Sequence, residues 1–191
     1  MNWLAHLLLS EPTPAFRVGG ILPDLVSAAV LENLPMEFQR GIERHRQVDA
    51  FTDSHPIVRR SVQRIQPPLR RFGGILVDIF YDHFLSRDWH RYSDTPLPAF
   101  VAECYAAFDA TQTHLPPAVF EQLARIRAGN WLLSYGDTAG LAHTLQRLGS
   151  RIRRPVDFAP AMTMLESDYD SFHADFMAFF PTIKEHLHGS L

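Results

Sequence analysis

Two stretches of this chain put histidine and aspartate at spacings that could do chemistry. In the first, His45 and Asp49 stand four residues apart, with Thr52 and Asp53 continuing their line. In the second, Asp78 and Asp82 share that spacing, and His83 follows directly. An α-helix turns about 100° per residue, so positions i and i+4 lie roughly 40° apart on one face. His83 is a further turn-step round and faces a different neighbour. Nearer the start, Asn2 and His6 repeat the spacing, and Asp24 follows the Gly19, Gly20 and Pro23 turn. Carboxylates joined by one or two imidazoles form an oxygen-rich set that suits Mn²⁺ or Mg²⁺ better than Zn²⁺. The same residues could instead form buried His–Asp and Arg–Asp pairs that orient helices, and spacing alone supports the two readings equally. Taken singly, Asp24 reads as a helix cap and His6 as a core histidine. Asp78 and Asp82 lie among Ile75, Ile79, Phe80 and Phe84. A buried carboxylate needs a positive partner, and a divalent cation and the nearby arginines are the candidates.

The elements that must position these residues are helices. Alternating β-branched runs are few, and Asn-Gly and Asp-Gly hairpin turns are absent. Proline and glycine punctuate the helical segments. The pattern predicts a short helix over about 2–10 and a second from Pro23-Asp24. A long helix should run from Pro35 to about Asp53, with Ser54 capping the next. A further helix should reach Trp89, others should follow Pro96 and Pro116-Pro117 and cover 137–148, and the last should span 159–187 with a break at Pro181. Gly41, one turn before His45, marks a place for close approach by a backbone or a ligand. The expected architecture is all-α, a single-domain helical bundle over residues 1–191.

Composition narrows the function classes. The chain has 191 residues, 46% hydrophobic and 20% charged, with fourteen Phe, five Tyr and three Trp to fill a core. One cysteine, Cys104, excludes an intrachain disulfide and fits a reducing compartment. No apolar run reaches the roughly 18 residues of a membrane span, and the start lacks a basic leader. The expectation is a cytoplasmic protein with no membrane association. A net charge of −3 makes no case for nucleic acid. The distribution is uneven, however. No acid occurs from Pro56 to Val77, where Arg59, Arg60, Arg64, Arg70 and Arg71 lie, nor from Thr138 to Val156, where Arg147, Arg151, Arg153 and Arg154 lie. These runs read equally as solvated helix faces and as surfaces for an acidic partner.

The opening Met-Asn-Trp-Leu-Ala-His-Leu-Leu-Leu-Ser, the Gly-Gly-Ile-Leu-Pro-Asp-Leu-Val block and both histidine/aspartate runs resemble the acyl carrier protein phosphodiesterase family. The blocks fall in order over residues 1 to about 91, with Asn130-Trp131-Leu132 and Tyr135 as weaker echoes. Leu8, Gly20, Pro23 and Asp88 depart from the family's pattern. The resemblance implies an all-helical, HD-domain-like phosphohydrolase that uses Mn²⁺, or Mg²⁺, to cleave 4′-phosphopantetheine from the serine of holo-acyl carrier protein. It implies that Asn2, His6, Asp24, His45, Arg46, Asp49, Asp53, Asp78, Asp82 and His83 match the family's motif positions.

On that footing Asp24, His45, Asp49, Asp78 and Asp82 form the pool of metal ligands. Asp24 is catalytically required, and His6 or His83 protonates the departing serine. Arg59, Arg60, Arg64, Arg70 and Arg71 would dock the acidic carrier protein. The competing readings are a phosphohydrolase for a small nucleotide or phosphate ester, and a helical module that binds carrier protein without cleaving it.

Overall fold

A computed structural model describes residues 1–152 and 154–188. Its described residues form twelve α-helices joined by turns and short 3-10 segments, with no strand among them. The helices are α1 (Trp3–Leu8), α2 (Pro14–Gly19), α3 (Ala28–Leu31), α4 (Met36–Ser54), α5 (Pro56–Arg64), α6 (Gly73–Arg87), α7 (Leu97–Ala110), α8 (Pro117–Ala128), α9 (Trp131–Ser134), α10 (Thr138–Arg151), α11 (Ala159–Ser167) and α12 (Tyr169–His188). The all-α expectation holds. Arg153, in the second basic run, lies outside the described residues, as does the side chain of Arg151.

Four local expectations change. The helix expected from Pro23-Asp24 is a 3-10 turn over Leu22–Asp24, followed by the short α3. His55, not Ser54, caps α5. Preceding Pro56, His55 is extended (φ −74°, ψ 130°), and its ring accepts from the Ile57 N–H at 3.3 Å. Ser54 Oγ turns back to the Phe51 carbonyl at 3.0 Å. The C-terminal segment breaks at Asp168 (φ −128°, ψ 29°), while α12 runs straight through Pro181. Phe176, Phe179, Phe180, Ile183 and Leu187 are buried on both sides of that proline, and their packing outweighs its missing donor. The prolines of 11–14 end one helix and also start another, because Pro14 takes the first position of α2 behind an extended Thr13.

The chain divides into two compact units made of interleaved segments. The first comprises Met1–Asn2, Ala50–Arg87 and Ser134–Leu191. Its core is aromatic: Phe80 meets Phe172 edge-on at 5.4 Å, and Phe176 touches both Tyr81 (5.5 Å) and Phe84 (5.9 Å). A buried polar knot ties α5 to α12 within it. Asp175 is 1% exposed and accepts from Arg60 Nε (2.9 Å), Ser61 Oγ (2.9 Å) and Arg64 Nε (3.4 Å). Arg64 also donates to Asp168 at 3.0 Å. Replacing Asp175 by Ala should cost about 2 kcal/mol in urea unfolding, because two guanidinium groups lose a desolvated partner. Arg60 is 57% exposed and can re-solvate, which keeps the loss below that of a fully enclosed pair. An unchanged unfolding midpoint would show that the knot adds nothing.

The second unit comprises Trp3–Asp49 and Asp88–Leu133. Leu4, Leu7, Val18, Ile21, Leu22, Ile42 and Val48 have no exposed surface and fill its interior. Arg17 joins α2 to α7, donating to Glu103 at 3.1 Å and lying 5.1 Å over the Phe100 ring. The backbones of α2 and α4 meet at glycines: a Cβ on Gly41 would run into the Phe16 carbonyl, and one on Gly19 into that of Phe38. Gly41 therefore admits a backbone. That contact brings the end of α2 against the helix carrying His45.

Candidate metal centre

Four side chains of the second unit converge. His6 comes from α1, where Trp3, Leu4, Ala5 and Leu7 are buried around it. His45 and Asp49 come from one face of α4, and Asp24 ends the 3-10 turn Leu22–Asp24. Asp49 offers one oxygen to each ring: Oδ1 lies 3.2 Å from His6 Nε2, and Oδ2 lies 3.0 Å from His45 Nε2. Asp24 Oδ1 is 3.7 Å from the same His45 nitrogen. The two imidazoles stack at 4.0 Å with 15° between planes. Ligand atoms of His6, His45 and Asp49 all fall within 4.8 Å of one another, the spacing of a metal-ion cluster.

The partners of each ring decide its role. His45 Nδ1 lies 2.8 Å from the Gly20 carbonyl, which can only accept, so Nδ1 carries a proton. That leaves Nε2 as the nitrogen presented to Asp49 and Asp24. A backbone acceptor fixing the tautomer of a ligating histidine is the usual arrangement at protein metal sites. Without a cation, a second proton competes for the same place. Burial works against it, yet the hydrogen bond to Asp49 and the nearby Asp24 charge raise the pKa of His45 above its ordinary value. For Asp49 burial would raise the carboxyl, but hydrogen bonds from His45 and His6 hold it well below the usual range. His6, enclosed, is pushed by burial down to about 4, against the pull of Asp49. The rings form a closed floor, with side chains 1% and 4% exposed, while Asp24 and Asp49 at 38% each leave the opposite side open. A donor set with one open side fits a cation that must also meet a substrate.

The remaining expected site residues lie in the first unit. Asp78 has a positive partner in the Met1 α-amino group, 3.1 Å from its Oδ1. Asp82 is wholly buried in α6. His83, 3% exposed, has both nitrogens engaged, Nδ1 on the Tyr135 carbonyl at 2.7 Å and Nε2 with the Tyr169 hydroxyl at 3.0 Å. Asn2 donates to the Tyr135 hydroxyl at 2.9 Å. Of the five docking arginines, Arg60 and Arg64 are committed to Asp175 and Asp168. Arg59, Arg70 and Arg71 expose their side chains. Reading the chain alone missed Trp3, whose Nε1 donates to Asp24 Oδ2 at 3.1 Å, and the Gly20 carbonyl. Nothing in the sequence marks a carbonyl as an imidazole acceptor, whereas the tryptophan beside the Asn2–His6 pair was a usable signal.

An all-α protein whose histidines and aspartates converge at metal-ligand spacing is the class that fold and cluster define. A family model described as acyl carrier protein phosphodiesterase matches residues 1–183, and the chain belongs to that family. It is 31% identical over 186 residues to an acyl carrier protein phosphodiesterase of Photorhabdus laumondii, covering 97% of this chain and 94% of that one. It is 34% identical over 185 residues to one of Escherichia coli, covering 95% and 94%. No solved structure matches the chain. Among the described residues no helix is long and apolar enough to cross a membrane.

Proposed function

We propose that the chain hydrolyses the phosphodiester between 4′-phosphopantetheine and the serine of holo-acyl carrier protein, and that it does so with a divalent cation. The observation that carries this reading is the convergence of His6, His45 and Asp49 within 4.8 Å in a chain of the phosphodiesterase family. His6, His45 and Asp49 hold the cation, with Asp24 at the rim. Its donors, two imidazoles and carboxylate oxygen without thiolate, favour Mn²⁺. A cation held there would lower the pKa of a water and offset charge on the phosphoryl oxygens.

His6 belongs with the ligands and not with the acids. With a pKa near 4 it is neutral at physiological pH, which suits a metal donor and not a proton donor. His83 is also pushed down by burial and is occupied on both nitrogens. Asp78, Asp82 and His83 then hold the first unit together, and Asp24 is the remaining carboxylate beside the cluster. Exposed Arg59, Arg70 and Arg71 give an acidic carrier protein a cationic surface, so turnover should weaken with added salt.

The test is to incubate the protein with holo-acyl carrier protein and Mn²⁺ over a range of salt, and to weigh the carrier. Loss of the phosphopantetheine mass, abolished by chelator and restored by Mn²⁺, is the expected result. A carrier of unchanged mass under every metal tried would sink the proposal.

A further inference from the structure

We infer that the turn Gly129–Trp131 positions Asp24 at the cluster, acting through the indole of Trp3. The inference rests on the metal reading above and gives a role to residues that the cluster itself does not contain. All of its parts lie in the second unit.

The turn is built for one orientation. α8 ends at Ala128, and Asn130 takes φ 48°, a left-handed conformation that costs a non-glycine residue free energy. It is held there from both sides. Tyr105 donates its hydroxyl proton to Asn130 Oδ1 at 3.2 Å, and the Tyr105 hydroxyl oxygen accepts from the Leu132 N–H at 3.3 Å. Asparagine is among the residues that adopt this conformation most readily. A Cβ on Gly129 would run into the Trp131 indole, so the glycine lets the ring fold back across the end of α8. Trp131 then lies parallel to Trp3, with ring centroids 6.0 Å apart and 10° between planes. Trp3, 9% exposed, directs its one donor to Asp24 Oδ2 at 3.1 Å. The other oxygen of Asp24 thereby faces His45 Nε2 at 3.7 Å.

The physical need for such a brace is plain. Asp24 sits in a three-residue 3-10 turn with its side chain 38% exposed, and a carboxylate there gains hydration by rotating outward. A charge-assisted bond from a buried indole opposes that rotation. The indole can hold its angle only if its own plane is fixed, and the Trp131 face fixes it. Partners of this kind, one bond removed from a ligand, commonly change metal affinity 10–100-fold when lost.

Two readouts test the chain of contacts. In Trp131→Ala, solvent exchange of the Trp3 indole proton, followed by NMR, should quicken about 10-fold or more. Mn²⁺ affinity, measured by calorimetry without any carrier protein, should fall about 10-fold. Trp131→Phe, which keeps a stacking face, should restore most of both. A folded Trp131→Ala protein with unchanged indole exchange and unchanged Mn²⁺ affinity would overturn the inference. If that variant does not fold, Trp3→Phe keeps a six-membered aromatic ring but removes the pyrrole ring and with it the N–H; Mn²⁺ affinity should drop about 10-fold there, and wild-type affinity would overturn the inference as well. A wild-type protein that takes up no Mn²⁺ defeats the proposed function, while the indole exchange still decides whether Trp131 holds Trp3.

Discussion

Replacing Asp49 by Ala is expected to abolish divalent-metal uptake and to reduce phosphodiesterase turnover on the order of 1000-fold, about 4 kcal/mol of transition-state stabilisation. The size follows from where the carboxylate sits. It is the one group that meets both rings, with one oxygen 3.2 Å from His6 and the other 3.0 Å from His45. Removing it separates the two imidazoles electrostatically and leaves Asp24 as the only nearby carboxylate of the set. Asp49→Asn is the sharper variant, since it keeps the shape and one acceptor while deleting the charge; it should retain the fold and still lose the metal. Glu43→Ala is the control. That glutamate lies on the same helix, is exposed, and meets Arg46 at 3.7 Å, a surface contact worth little. Metal content by elemental analysis and product by mass together decide the matter: an Asp49→Ala protein that binds Mn²⁺ normally would remove the cluster from consideration.

The His45–Asp49 pair was legible in the sequence because helical spacing is a local property. Four residues on a helix put two side chains on one face whatever the rest of the chain does. The ring of His6 and the carboxylate of Asp24 stood out by spacing and turn context, but taken singly they read as a core histidine and a cap. Resemblance gave them weight, since a lone histidine in Leu-rich sequence carries no sign of what it will face. Contacts between distant residues were illegible for the same reason. Asp175 takes Arg60 and Arg64 across more than a hundred residues of chain, so two of the five docking candidates also have a partner within the unit. Asp78 is met by the Met1 amino group, a positive neighbour that no count of arginines would reveal. Helix class followed from periodicity and proline placement. Pro181 misled because a proline reports only the local cost, and five buried apolar side chains around it outweigh that cost.

The pH dependence of the metal-free protein should carry two signs, and both come from the stacked pair. His6 is neutral in the folded state down to about pH 4, whereas in the unfolded chain it takes a proton near 6.5. Between those values the unfolded state binds more protons, so stability falls as pH falls from 6.5 towards 4. The shift corresponds to about 3 kcal/mol for this buried ring. Asp49 extends the fall below pH 4: its folded pKa is depressed, so its contribution is present above the unfolded value and is lost as acid protonates it. His45 works in the other direction. Its pKa is raised, so its contribution is complete below 6.5 and disappears as pH climbs through the folded value. Urea midpoints of the chelated protein should therefore pass through a maximum near pH 6.5 and drop on both sides. Mn²⁺ competes with the proton on His45 Nε2, so calorimetry in two buffers of different ionisation enthalpy should show proton release on metal uptake near that maximum. Midpoints that stay flat from pH 6.5 to 4, together with uptake that releases no proton, would mean that His6 and His45 do not face the cation.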